Sequence, residues 1–77
     1  MTVVAYVLVK ANTGEADRLL GEIGDIEGVV DAHIVAGDVD IIAKVQVDSP
    51  GQVKEIAANA IQRIDGVEDT ETYIAMD

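Results

Sequence analysis

From Thr2 to Lys10 the chain is an unbroken apolar and β-branched run, with Val3, Val4, Val7 and Val9 around Tyr6 and Leu8. A strand that is apolar on both faces belongs in the middle of a sheet, covered from two sides. A turn at 11–14 follows, with Asn12 and Glu15 spaced as a capping box. Ala16, Leu19, Leu20 and Ile23 then recur at helical spacing and predict an amphipathic helix, whose exit is bracketed by Gly24 and Gly28. Val29 to Ala36 reads as a second strand, with Val30, Ala32, Ile34 and Ala36 on one face and Asp31 and His33 on the other. Gly37-Asp38 predicts a tight hairpin, because Gly accepts the positive φ such turns demand. The third strand is expected over Val39 to Val47, with Ile41, Ala43, Val45 and Val47 alternating against Ile42, Lys44, Gln46 and Asp48.

The strongest local signal is Asp48-Ser49-Pro50-Gly51-Gln52, with Ser49 as N-cap, Pro50 at the first helical position and Gln52 at the third. Val53, Ile56, Ala57, Ala60, Ile61 and Ile64 continue it as one core stripe. Gly66 ends that helix, and Val67 to Met76 is the fourth strand.

Displaced by 38 residues, the chain matches itself without a gap: Ala5/Ala43, Val7/Val45, Val9/Val47, Ile23/Ile61, Ile26/Ile64, Gly28/Gly66, Val29/Val67 and Asp31/Asp69 are identical. These identities fall where packing or a turn dictates the residue, so the chain is two copies of one β-α-β unit. The expected fold is α+β and ferredoxin-like: an antiparallel four-stranded sheet in βαββαβ order, with two helices on one face, over a single domain spanning 1–77. Two helices cover only one face. The other carries Val4, Tyr6, Leu8 and Ile42 and, by alternation, His33, Val35 and Tyr73, a large patch for a monomer. Val4, Tyr6, Leu8, His33 and Ile42 are therefore the expected interface of a two-fold dimer of stacked sheets, the dimeric α+β barrel arrangement.

Composition narrows the function. Without Cys there is neither disulfide nor thiolate metal site, so a small domain of this size looks to self-association for further stability. Fifteen acidic against five basic residues give a net charge of −10, which repels nucleic acid and anionic membranes and argues against direct binding to either. The longest apolar run is too short to span a bilayer, and no basic region precedes it, so a cytoplasmic protein is expected. The acidic excess also suits a salt-rich cytoplasm, where repulsion is screened.

Catalytic chemistry has little to work with. His33 is the one His, and Ser49, Thr70 and Thr72 have no His/Asp partner at a recognisable spacing. His33 on a half-buried strand reads as a packed or hydrogen-bonded residue before a general base. Asp38 and Asp40, joined by Asp48 or Asp69, offer oxygen ligands but lack the remainder of a calcium loop. Asp38 bonding backbone amides of its own turn is the plainer reading. No cofactor or metal is expected.

The ordered set Gly37-x-x-Asp40, Gly66-Val67 and Thr70-x-Thr72, with the opening Val3 strand, resembles the effector-binding (RAM) domain of the Lrp/AsnC transcription regulators over essentially the whole chain. The resemblance implies a dimer formed through the sheets, assembly of dimers into rings, and an amino acid or similar small molecule bound between neighbouring dimers. On that basis Val35, Gly37, Asp38, Asp40, Thr70 and Thr72 are the effector-site candidates. Gly37 would offer backbone groups, the aspartates would hold an ammonium or the turn itself, and the threonine hydroxyls would bond a carboxylate. For the threonines, ordinary strand propensity explains their presence equally well. Full-length members carry an N-terminal helix-turn-helix, and this chain starts at the first strand of the effector domain. The expectation is therefore a stand-alone sensing and oligomerisation module that reaches DNA only through full-length regulators. Two other readings share the fold: an ACT-like regulatory subunit of an enzyme or transporter, and a small dimeric α+β-barrel enzyme using His33.

Overall fold

The computed structural model describes residues 2–12 and 14–77. β1 (Val3–Ala11), α1 (Ala16–Gly24), β2 (Val29–Ile34), β3 (Ile41–Val47), α2 (Pro50–Lys54, continued by a π-helical stretch Glu55–Ile61) and β4 (Val67–Ile74) follow in that order. The sheet is antiparallel, in the order β2-β3-β1-β4, so the opening apolar strand is central as its sequence predicts. This is the ferredoxin-like βαββαβ fold. Ala5, Val7 and Val9 of β1 and Ile41, Ala43 and Val45 of β3 are fully buried with Leu19 and Ile23 of α1 and Ile61. That alternation is the physical basis of the register: slipping either strand by one residue would turn its valines outward.

The internal repeat has a structural cause. Gly28 and Gly66 both have positive φ, +100° and +105°, so each half needs a residue without Cβ where the chain leaves its helix. The amide of Val29 bonds Ile26 O and that of Val67 bonds Ile64 O, both at 3.1 Å, forming the same turn twice. One residue later each edge strand bulges: the register shifts between Val29 and Asp31 against β3, and between Val67 and Asp69 against β1. Asp31 and Asp69 then each accept the next amide, from Ala32 at 3.1 Å and Thr70 at 2.9 Å.

The bulge corrects the reading of β2. An extra residue reverses the alternation, so Val29, opposite Val45, takes the core side, while Val30 is 55% exposed. β2 also ends at Ile34, so Val35 and Ala36 leave the sheet, and β4 ends at Ile74 rather than Met76. Gly37-Asp38 is not a two-residue turn. Residues 35–40 form a longer loop closed by the Val35 amide bonding Asp40 O at 2.9 Å, and Gly37 does not have positive φ. Val39 and Asp40 accordingly precede β3. The capping box at Asn12 and Glu15 is absent too: Glu15 is the N-cap of α1 but makes no side-chain cap bond. Its carboxylate is taken by Arg18, which also pairs with Glu22 and bonds Asp65 O at 2.6 Å. Those carboxylates, Glu15 foremost through its hydrogen bond, raise the guanidinium pKa further.

The second capping box is present. Ser49 Oγ accepts from the Gln52 amide at 3.4 Å, and Gln52 Oε1 accepts from the Ser49 amide at 3.0 Å and the Asp48 amide at 2.8 Å. Ser49→Ala is expected to cost about 1 kcal/mol, lowering Tm by about 4–8 °C. A thermal melt unchanged by the substitution would show that the cap contributes nothing. The helix it starts is α-helical only to Lys54; beyond it the Gln62 amide reaches Ala57 O at 3.2 Å, an i→i−5 bond. The wider turns still bury Ile56, Ala57 and Ile61, while Ala60 is half-buried.

Candidate functional site

The direction of the two threonines follows from pairing on β1. Thr70 lies opposite Val9, Thr72 opposite Val7 and Ile74 opposite Ala5, and all three partners are buried beneath the helices. Both hydroxyls therefore turn to the helix side. There β4 and α2 leave an open groove of about 390 Å3, with Val53, Ala57 and Ile74 among its apolar walls and Lys54, Gln62, Thr70 and Thr72 as its polar groups. Thr70 is half-buried and Thr72 exposed.

On the opposite face of the sheet a smaller concavity of about 140 Å3 opens, where Val39 at the end of the 35–40 loop meets Leu8, Lys10, Asp69, Thr70 and Glu71. Thr70 lines both, so within one chain the loop end and β4 are neighbours. Asp40 is held there structurally: its amide donates to Val9 O at 2.9 Å and its Oδ2 accepts from the Ala11 amide at 2.8 Å. Backbone bonding expected of Asp38 thus belongs to Asp40. Gly37 and Asp38 are exposed at the loop tip and line neither concavity, and Val35 is half-buried. Lys54, Gln62 and Val39 were not singled out by sequence, although Lys54 and Ala58 follow directly on the stripe residues Val53 and Ala57.

The face away from the helices is set by the same register. One row across the sheet is His33, Ile42, Leu8 and Glu71; the next is Asp31, Lys44, Tyr6 and Tyr73. Val4 continues the apolar centre, with Tyr6 39% exposed and Tyr73 54% exposed. Polar pairs close both edges: His33 Nε2 lies 3.1 Å from Asp31 Oδ1, and the Tyr73 hydroxyl donates to Glu71 Oε1 at 3.1 Å. That bond and the Glu71 charge raise the Tyr73 pKa above the ordinary phenol value. His33 is exposed and lines neither concavity. Among the described residues no group of three or more His, Cys, Asp or Glu is arranged to hold a metal ion, and no helix is long and apolar enough to cross a membrane.

Comparison with known proteins gives this geometry its context. The Lrp/AsnC ligand binding domain family matches residues 4–77. The leucine-responsive regulatory protein of Haemophilus influenzae is 26% identical over 77 residues, which are all of this chain and 46% of that protein. The chain thus spans about half the length of the curated relatives it matches. The crystal structure of TTHA0845 from Thermus thermophilus superposes with a TM-score of 0.93 at 25% identity, covering 97% of this chain and 94% of that one. A Neisseria meningitidis transcriptional regulator solved as its L-Met complex shares the fold, with a TM-score of 0.86 at 12% identity over 97% of this chain and 50% of that one. With the family match running from Val4 to the last residue and the sheet order, repeat and helix placement all in agreement, the chain belongs to the Lrp/AsnC family, as its ligand-binding domain.

Proposed function

We propose that this domain binds an amino acid or a similar small molecule and reports it by changing how copies of the domain assemble, without catalysing a reaction or contacting DNA itself. The observation that carries this reading is the placement of Thr70 and Thr72, which both line the helix-side groove. Hydroxyls in an open groove beside apolar walls suit a ligand with a polar head and an aliphatic body. The L-Met complex of the Neisseria regulator is a precedent on the same fold. Val35, Gly37, Asp38 and Asp40 remain assigned to the site through the loop, whose exposed tip is free to meet a neighbouring subunit.

Assembly is proposed through the uncovered sheet face, with Val4, Tyr6, Leu8 and Ile42 at the centre and His33 at the rim. Copies of the chain pair in two-fold dimers, which build rings, and full-length Lrp/AsnC regulators are the partners through which the signal reaches DNA. A net charge of −10 supports the absence of direct contact with nucleic acid. Relatives that are transcription regulators support a non-enzymatic role, and an exposed His33 paired with Asp31 offers the enzyme reading no support.

Titration calorimetry with a panel of amino acids tests this directly. A binder should appear, and Thr70→Val with Thr72→Val should weaken it about tenfold or more, since two hydrogen bonds contribute about 0.5–1.5 kcal/mol each. The double variant should keep its fold, because Val matches Thr in shape and strand propensity. An unchanged affinity would remove the threonines from the site.

A further inference from the structure

Charge on the sheet face away from the helices is nearly balanced, although the chain carries −10 overall. Its rows hold Asp31, Asp69 and Glu71 of the fifteen acidic residues, Lys10 and Lys44 of the five basic ones, and His33. The order of residues within one row carries more than the balance. From β2 to β4 that row runs His33, Ile42, Leu8, Glu71: an imidazole at one rim, a carboxylate at the other, and two half-buried aliphatic side chains between them. Reversed, the row is its own complement. Within one chain its ends cannot meet, because β2 and β4 are opposite edges of the sheet, three strand spacings or about 14 Å apart. Asp31 takes His33 Nε2 and the Tyr73 hydroxyl takes Glu71 Oε1, so Nδ1 and Oε2 are the atoms that each rim offers to another subunit.

We infer that His33 of each copy pairs with Glu71 of the partner subunit at both rims of the dimer, which sets the two-fold axis along the strands, between β1 and β3. This rests on the reading that copies join through the sheet face. Rotation about such an axis lays β2 on the partner's β4, β3 on its β1, and every row on its own reverse. Ile42 then meets the partner's Leu8, Lys44 lies over the ring of the partner's Tyr6, and His33 meets the partner's Glu71. The concavity of about 140 Å3 bordered by Leu8, Lys10, Asp69 and Glu71 opens at that rim and gives the incoming imidazole room beside the carboxylate. An axis across the strands lays each strand on its own copy instead. Lys44 then faces the partner's Lys44 or an aliphatic neighbour on the same strand, and the acidic β4 rims stack on one another, an arrangement that like-charge repulsion opposes. The rim also selects its partner: a related domain fits this face best when it presents a carboxylate opposite His33 and a hydrogen-bond donor opposite Glu71.

The chain has no Cys, so single cysteines at these two exposed positions report the axis without background. His33→Cys and Glu71→Cys are examined separately and after refolding together, with a bis-maleimide about 10 Å long, the spacing of packed sheets. On a denaturing gel we expect no covalent dimer from either variant alone, because equivalent rims lie on opposite sides of the axis, and covalent dimer from the mixture. Covalent dimer from either variant alone would overturn the pairing and turn the axis across the strands. Sedimentation of the same samples separates the two readings: dimers that cross-link in neither arm would overturn the rim pair alone, and folded monomers would overturn the sheet-to-sheet interface with it. In about 0.15 M salt, Glu71→Lys should raise the dimer dissociation constant about tenfold, the scale of an exposed ion pair counted at both rims. Adding His33→Glu should bring it back to within about threefold of wild type, and a double variant no tighter than the single one would overturn the pair.

Discussion

Tyr6→Asp is expected to break the protein into unstable monomers. In the isolated chain Tyr6 is 39% exposed at the centre of the sheet face, so a carboxylate there stays solvated and costs the single subunit little. In a face-to-face dimer the same carboxylate would be desolvated among Val4, Leu8 and Ile42 of two copies and would lie close to its symmetry mate. Its cross-strand neighbour Lys44 also faces Asp31, and burying a charge in an apolar contact costs several kcal/mol even beside such a partner. The lost contact removes a further apolar contribution of about 25 cal/mol per Å2. Because a small domain has only about 5–15 kcal/mol of stability in all, dissociation and a lower melting temperature should appear together. Sedimentation of the variant as a dimer with an unaltered melt would place the interface elsewhere on the chain.

The second large effect concerns salt. The described residues include no buried charged side chain, so the ten excess negative charges lie on a surface whose principal extents are 37 × 21 × 17 Å. At 0.01 M salt the Debye length is about 30 Å and nearly every carboxylate repels every other; at 1 M it is about 3 Å and only close neighbours interact. Melting temperature should rise by about 10 °C across that range in potassium chloride, which for a domain of this size corresponds to about 2 kcal/mol. A flat or falling Tm would contradict a surface suited to a salt-rich setting.

Much of this fold is written locally. The buried alternation of β1 and β3, the stripe of α1 and the Ser49 cap are decided by residues within a few positions of one another, and the 38-residue repeat marks the turns at Gly28 and Gly66. What escaped the sequence depends on distant partners. The Gly37-Asp38 pair has the composition of a tight hairpin, yet the loop is fixed by Asp40 accepting the Ala11 amide 29 residues away. Val29 and Val30 are equally apolar, so nothing local says which faces the core; the bulge against Val45 and Lys44 decides it. The Asn12 box is absent because α1 begins at Ala16 with Glu15 itself at the N-cap, while the Asn12 amide bonds Gly66 O from the other half of the repeat.

The candidate site was legible in the same uneven way. Thr70 and Thr72 share one face by alternation, and their motif drew attention to them. That this face is the helix side, shared with Lys54 and Gln62, depends on the pairing of β4 with β1. Residues 35–38, by contrast, carry motif identity but line neither the groove nor the loop-end concavity.

Ligand binding and assembly, on this proposal, are coupled through one domain. Sedimentation velocity of the wild-type chain at micromolar concentration in about 1 M potassium chloride, with and without a saturating calorimetric ligand, tests that coupling most directly. A dimer or larger species is expected without ligand, and its mass distribution should shift on saturation, as linkage requires when the ligand prefers one assembly state. A folded monomer, or a mass distribution indifferent to a bound ligand, would contradict it.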